Sequence, residues 1–357
     1  MKGNYCVIMS GGIGSRFWPF SLGKKPKQFL DFFGVGRSLL QQTFDRFRQI
    51  IPINNIFIIT NAKYSGLIKE QLPDLNVDHI LLEPIRRNTA PCIAYASYRI
   101  RSIDPNANIV VSPVDHLILQ EQNFLKNIQT GLDFVSKSPL LLTLGIKPTR
   151  PETEYGYIQT NEKEHCIRKV KTFTEKPNYE LAKIFFECND FFWNSGIFIW
   201  NVSTILEAFD LYLSDISMYL GKSLDKYNTS EEKVFIDETY SKCPNISIDY
   251  GIMEKASNVY MLVAEFGWSD LGTWNSLYDL LEKDSHHNAS LKSRTLFIES
   301  ENNLVTLPKD KLAIIQGLND YIIAESDNIL LICKKSEEQR IKQFASDASI
   351  KYGKEYS

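Results

Sequence analysis

No run of apolar residues in the 357-residue chain approaches the roughly 20 needed to cross a bilayer. The segment Met1–Ser10 passes within a few positions into a short apolar run that ends in Gly-Gly, too short for the apolar region of a secretory signal. The six cysteines (Cys6, Cys92, Cys166, Cys188, Cys243, Cys333) are scattered, and no C-x-x-C pair occurs. A disulfide framework or zinc site is not expected from such spacing, and buried reduced thiols are the plain reading. A basic surplus is lacking too. The net charge of −3 argues against a general nucleic-acid binder, although a few Lys and Arg suffice for a local phosphate pocket. Low-complexity tracts and repeats of fixed period are absent. What remains is a protein of ordinary globular composition, expected in the cytoplasm, with neither membrane nor nucleic acid as partner. Its length suggests one large domain plus a smaller one.

The first 150 residues alternate two kinds of segment. Apolar β-type runs occur at Tyr5–Met9, Ile56–Thr60, Ile80–Leu82, Ile109–Val111 and Leu140–Gly145. Between them, Leu40, Phe44, Phe47 and Ile51 recur at helical spacing, as do Phe124, Ile128, Leu132 and Val135. Continuous apolar strands alternating with helices predict an α/β fold: a Rossmann-like, mostly parallel sheet covered on both faces. Ligands of such sheets sit beyond the C-terminal strand ends. Further on, Tyr155–Thr160 and Cys166–Thr174 read as a short antiparallel insertion. Tyr179–Cys188 reads as a helix, Gly196–Trp200 as a strand, Val202–Leu220 as one long amphipathic helix and Val259–Phe266 as a strand. The polar stretch Glu282–Ser293 reads as a linker. It divides residues 1–283, a catalytic domain, from 284–357, a small β-rich domain with a charged final helix.

After the first strand comes Ser10-Gly11-Gly12-Ile13-Gly14-Ser15-Arg16, then Pro19 and Lys25-Pro26-Lys27-Gln28. Glycines let backbone N–H groups approach a polyphosphate, and successive N–H groups make an anion-binding concavity. Arg16 and Lys27 add charge where a pyrophosphate would develop. Phe17 stands where a dinucleotide fingerprint needs glycine, and no G-x-x-x-x-G-K-[ST] occurs. Glycines alone would suit a plain surface turn; Arg16 and Pro-Lys-Gln at this spacing reverse that preference.

The run GGIGSRFWPFSLGKKPKQFL resembles the signature loop of the sugar nucleotidyltransferases. The further segments EPIRRNTAPCIA, SPVDH, GIKPTRPETEYGYI, FTEKP, FWNSGIFIW, SIDYGIMEK and WSDLGTW resemble the bacterial mannose-1-phosphate guanylyltransferases. They keep that family's order from about residue 5 to 280. The tail is similar to the family's β-helix-like C-terminal domain, and the chain ends before the isomerase domain of the longer, bifunctional members.

The resemblance implies GTP and mannose 1-phosphate as substrates, magnesium as cofactor and a homo-oligomer, a dimer, as the assembly. It places Gly11, Gly12, Gly14 and Ser15 on the nucleotide and Arg16, Lys27 and Asp115 in catalysis. Asp115 and Asp270 are then metal ligands, as magnesium prefers one or two carboxylates plus phosphate and water oxygens. Lys176 grips the sugar phosphate, Glu175 accepts from sugar hydroxyls, and Gly156 and Asn194 complete the sugar pocket. Glu154 departs from the family, which usually has glycine there. Guanine offers two donors beside an acceptor, so Glu83, Asn88 and Thr89 are the candidates for base choice, with Asn88 equally readable as a helix N-cap. Mannose 1-phosphate is already ionised at neutral pH, so His116 is not needed as a base; His286 and His287 are expected to be exposed. Another sugar 1-phosphate (glucose, fucose or a heptose) fits the same class. A glycosyltransferase, or a non-catalytic sensor of nucleotide sugars, would share parts of the pattern. Pyrophosphate release from GTP separates the enzyme from both.

Overall fold

The apolar runs bury both faces, so they line up as the centre of a nine-stranded sheet. The computed structural model of the chain describes residues 3–12, 14–160 and 165–356. Its strands begin β1 (Asn4–Met9), β2 (Ile56–Asn61), β3 (Ile80–Glu83), β4 (Asn108–Pro113), the two-residue β5 (Leu117–Ile118) and β6 (Leu141–Ile146). Then come β7 (Tyr157–Thr160), β8 (Ile167–Thr174), β9 (Phe191–Asn201) and β10 (Val259–Ala264). The order across the sheet is β3-β2-β1-β4-β9-β6-β10-β8-β7.

The expectation of a mostly parallel sheet needs correction, because the sheet is mixed. β1 pairs in parallel with β2 and β4, β2 with β3, and β6 with β10. β9 runs antiparallel to both of its neighbours, with Ile199 opposite Val110 and Leu142. β8 is antiparallel to β10 and to β7. The cause lies in the length of β9. Its second half fills the gap between β4 and β6, while Phe191–Trp193 reaches on to pair with β7. The segment read as a separate insertion is thereby drawn into the main sheet.

Two compact units make up the chain. The first comprises Met1–Gly11, Thr43–Val114 and Ile118–Trp268. It contains the sheet and the helices α2 (Ser65–Gln71), α3 (Thr89–Ile103) and α4 (Glu121–Val135), following α1 (Leu39–Phe47). It continues with α5 (Tyr179–Glu187), α6 (Val202–Tyr212), α7 (Ser214–Leu220) and α8 (Glu232–Thr239). Ile93 and Ile100 of α3 bury against Phe198, Trp200, Ile205, Phe209, Ile216 and Leu220. On α4 the buried positions are those of the helical spacing: Phe124, Ile128, Leu132 and Val135. Gly131 permits the close approach there, for a Cβ would lie 2.5 Å from Ile199 Cδ1. The single helix expected over Val202–Leu220 is two. Leu213 turns out of helical geometry at φ −138°, ψ 51°, and Ser214-Asp215 begins a new helix, the residue types that favour a start.

The second unit comprises Gly12–Gln42, Asp115–Leu117 and Ser269–Ser357. After β11 (Trp268–Ser269), α9 (Trp274–Leu280) starts on a capping box between Thr273 and Ser276. Six short strands follow: β12 (Ala289–Leu291), β13 (Arg294–Ile298), β14 (Leu304–Thr306), β15 (Leu312–Gln316), β16 (Tyr321–Ser326) and β17 (Ile329–Lys334). β12, β14 and β16 form one parallel ladder and β13 with β15 another, while β17 returns antiparallel to β16. α10 (Ile341–Tyr352) closes the chain.

The stretch read as a linker is structured. The Asp284 carboxylate accepts from the backbone of His286 and Asn288, and the buried Asn288 side chain donates to Ser300 and accepts from Asn303. Short polar side chains bonding their own backbone make such a turn look like solvated linker in the sequence. His286 and His287 are exposed. No helix among the described residues is long and apolar enough to cross a membrane.

The tail 284–357 buries a small apolar cluster of its own around Val305, Leu307, Ala313 and Ile323, but its larger apolar contacts are shared. Ala289, Leu304, Ile322, Ile341 and Ala345 bury in one cluster with Phe17, Trp18, Phe32 and Trp274. Phe17 meets Phe32 edge-on at 4.9 Å and Trp274 at 5.0 Å, and the Trp18 indole donates to the Tyr356 carbonyl at 2.7 Å. Truncation at Asp284 is therefore expected to strip the cover from this aromatic cluster and unfold the glycine loop with it. Ile341→Ala should cost about 2–5 kcal/mol by denaturant unfolding. A truncated chain with native near-ultraviolet dichroism would contradict the shared core.

Candidate active site

The loop after β1 is shaped by one glycine and one lysine. Gly14 sits at φ +65°, where a Cβ would meet Lys27 Cγ at 2.8 Å and Ser21 Oγ at 3.1 Å, so only glycine fits. Ile13 lies outside the described residues. The Gln28 amide holds the loop by donating to the Gly12 carbonyl at 2.8 Å, and Ser15–Phe17 form a 3-10 turn that buries Phe17.

Lys27 is buried at 6% exposure. Its backbone N–H donates to Ser21 Oγ, and its ammonium lies 2.9 Å from Asp115 Oδ2 while donating to the Leu271 carbonyl at 2.7 Å and the Asp270 carbonyl at 3.4 Å. Burial alone would raise the Asp115 carboxyl, but the charges of Lys27 and His116 outweigh it and hold the group below the usual carboxylate range. The Asp270 carboxylate accepts from Gly272 N–H at 2.9 Å. Arg16 lies near Glu338. Burial raises that carboxyl, while its bonds from Asn275 and Thr273 and the charge of Arg16 pull the other way. One ammonium thus gathers Lys27, Asp115 and the backbone of Asp270. Among the described residues no group of three or more His, Cys, Asp or Glu could hold a metal ion. Two hard carboxylates with phosphate and water oxygens are nonetheless a donor set magnesium accepts.

A second cluster belongs to the sheet-bearing unit. Asn194 N–H donates to the Gly156 carbonyl at 2.8 Å. A Cβ on Gly156 would lie 2.5 Å from Glu175 Oε2 and 3.4 Å from Asn194 Cβ, so the glycine makes room for both. Lys176, at φ +45°, pairs with Glu175 at 2.8 Å. Tyr155 packs edge-on to Trp193 and Trp268. Glu154 takes its place in a turn closed by Glu152 Oε1, which accepts from the N–H groups of residues 153 and 154. Its backbone is outside the positive-φ set, so the conformation there does not require glycine.

The base candidates are also in that unit. Glu83 is buried, accepts from the Tyr240 hydroxyl, and its Oε2 would be 3.3 Å from a Cβ on Gly11. Burial raises its pKa, with the Tyr240 bond and Arg86 opposing. Asn88 starts α3: its Oδ1 accepts from Thr89 N–H at 2.9 Å, and its φ is +66°. Thr89 Oγ1 accepts from Ile248 N–H at 2.9 Å. Sequence reasoning did not single out Tyr240 or Asp249. For Asp249 the signal was an acid inside the otherwise apolar Ile248–Met253 run; Tyr240 had none.

The glycine turn, the ion pair of buried Lys27 with Asp115 and the mixed α/β sheet define a class. The chain matches the nucleotidyl transferase family model over residues 5–287 and belongs to that family. Mannose-1-phosphate guanylyltransferase of Escherichia coli is 33% identical to it over 98% of this chain and 76% of the relative. That of Salmonella muenchen is 35% identical over 94% and 72%. The alginate biosynthesis protein AlgA of Pseudomonas aeruginosa is 33% identical over 96% and 71%. Among solved structures, a Thermus thermophilus protein described as a mannose-1-phosphate geranyltransferase superposes with a TM-score of 0.88 at 27% identity, over 98% of this chain and all of the other. Within the nucleotidyl transferases, the chain belongs to the mannose-1-phosphate guanylyltransferase family.

The lysine–aspartate pair yields a prediction independent of turnover. Lys27→Met and Asp115→Asn should each destabilise the protein, the first more, because it leaves a largely enclosed carboxylate without its partner. The double variant should recover part of the loss, a coupling of about 0.5–3 kcal/mol. Additive losses in a double-mutant cycle of denaturation would show the pair is not energetically joined.

Proposed function

We propose that the chain makes GDP-mannose and diphosphate from GTP and α-D-mannose 1-phosphate. The observation that carries this reading is the gathering of Lys27, Asp115 and the Asp270 backbone beside a glycine turn. The likeness of nearly all of this chain to mannose-1-phosphate guanylyltransferases supports it. A phosphate oxygen of the sugar phosphate attacks the α-phosphorus of GTP in line, and diphosphate leaves. Both reactants are anions, so positioning and charge neutralisation supply the catalysis.

Arg16 and the amides of Gly11, Gly12, Gly14 and Ser15 hold the leaving diphosphate. Lys27 fixes Asp115 and presents its charge toward the transferring group. Lys176 binds the sugar phosphate, while Glu175, Gly156 and Asn194 hold the sugar. Glu83, Asn88 and Thr89 select the base, Glu83 with its direction set by Tyr240. Asp115 and Asp270 would hold magnesium, which when bound supplies charge neutralisation at the phosphates. The nucleophile is already ionised, so no residue need remove a proton, and His116 acts through the charge it sets on Asp115.

The reading is tested with a matrix of four nucleoside triphosphates against mannose, glucose, fucose and heptose 1-phosphates, scored by diphosphate release. GTP with mannose 1-phosphate should rank first, and Asp115→Asn should lower turnover by a hundredfold or more, on the order of 3 kcal/mol. A preference for another pair would overturn the sugar or base assignment.

We read the parallel ladders of the tail as β-helix-like coils, supported by Ala289 stacking on Leu304 and Leu304 on Ile322. The same coils supply a face for a homodimer. Leu296, Ile298, Leu312 and Ile314 are exposed on β13 and β15. Exposed Arg294 and Lys311 lie at one end and Glu299 at the other, so a second copy turned by a two-fold axis would match charge to charge. Ile314→Glu should convert a dimer to monomers in sedimentation analysis; an unchanged mass would place the contact elsewhere.

A further inference from the structure

One carboxylate beside the sugar cluster has no part in the account above. Asp249 opens the π-helical turn Asp249–Met253 and accepts from Asn194 Nδ2 at 2.9 Å. The other end of that amide is engaged as well, since Asn194 Oδ1 accepts from Thr143 Oγ1 and from Gly196 N–H, each at 3.1 Å. Asn194 is thereby locked in one orientation, and Asp249 is the partner of its donor end. The preceding residues anchor elsewhere: Ile248 N–H donates to Thr89 Oγ1, and the Ile246 carbonyl accepts from Ala90 N–H. A single short segment thus ties the first turn of α3 to the Asn194 amide. Single π-turns within helices recur at functional sites.

We propose that Asp249 is a positioning residue of the sugar-phosphate subsite, fixing the Asn194 amide and taking up a proton from solvent when the anionic sugar phosphate binds beside Lys176. This rests on the subsite assignment made above. The charged groups around it are Glu175, whose other neighbour is Lys176, with Glu154 acting on that lysine and Glu254 on Glu175. Burial, and then the Glu175 charge, push Asp249 up to about 7, against the Asn194 bond and Lys176. Two carboxyls already share one ammonium, so a phosphate dianion arriving there adds repulsion that protonation of Asp249 relieves. The neutral carboxyl still accepts from Asn194 through its carbonyl oxygen and gains a donor for a sugar or phosphate oxygen.

The linkage has a definite sign. The folded-state value lies above the ordinary aspartate value near 4. Between roughly pH 4 and pH 7 the folded chain therefore keeps a proton the unfolded chain has lost, and stability falls as pH rises through that window. Asp249→Asn should accordingly be stabilised relative to the unmodified protein near pH 8 and little changed near pH 4.

The deciding experiment is titration calorimetry of the full chain with mannose 1-phosphate, with a non-cleavable α,β-methylene GTP present. It is run near neutral pH in two buffers of different ionisation enthalpy. The unmodified protein should take up a fraction of a proton and Asp249→Asn none. In turnover, Asp249→Asn should raise the KM for mannose 1-phosphate several-fold and flatten its pH profile, leaving the KM for GTP unchanged; Asp249→Glu should restore the pH dependence in part. Unaltered proton uptake in Asp249→Asn overturns the proposal, as does a loss of kcat with the same pH profile. Lys176→Ala separates this from the wider reading. If it leaves mannose 1-phosphate binding intact, the subsite assignment falls and the proposal with it. If it weakens binding while Asp249→Asn keeps the proton, only the role of Asp249 is wrong.

Discussion

The ammonium of Lys27 is the constraint on which the loop cluster depends. It lies within one ion pair of Asp115 and donates to the carbonyls of Asp270 and Leu271. Three segments far apart in sequence converge on a single charge. An ammonium has three donors and no acceptor, and here two carbonyls and a carboxylate meet them. The arrangement dictates Gly14, since any side chain there would strike the lysine stem. It also keeps Asp115 ionised in an enclosed place, where burial alone would favour the neutral acid.

The cluster around Asn194 follows the opposite rule. Asp249 has no ammonium of its own, faces Glu175 and drifts toward neutrality. One carboxylate is thus held as a permanent charge by its ion pair. The other is left near its titration point, where a small change in neighbouring charge moves a proton.

Much of the architecture was legible because burial on both faces writes itself into sequence. The runs at Tyr5–Met9, Ile56–Thr60 and Leu140–Gly145 became β1, β2 and β6, and the spacing of Phe124 to Val135 became α4. Strand direction was not legible. An apolar run has no sense of polarity, and the second half of β9 is as apolar as the strands that pair in parallel. The break at Leu213 was hidden by apolar spacing that continues across it, although Ser214-Asp215 carried the cue. Candidate site residues at strand ends could be named from charge and glycine placement. The partners that orient them, Tyr240 and Asp249, are set by tertiary contacts between distant segments. The turn at Asp284 looked polar because its hydrogen bonds are made to its own backbone.

The aromatic cluster around Phe17 has a consequence for the order in which the protein comes into being. Residues 12–42 leave the ribosome well before Trp274, Ile322 and Ile341. Phe17, Trp18 and Phe32 must therefore wait, unpacked, until those later residues are made. Contacts this distant along the chain are the slow ones to close, and the waiting apolar surface is open to misassociation. The glycine loop gains its final shape only after Ile341 and the helix it begins have emerged, so its folding is coupled to segments made hundreds of residues later.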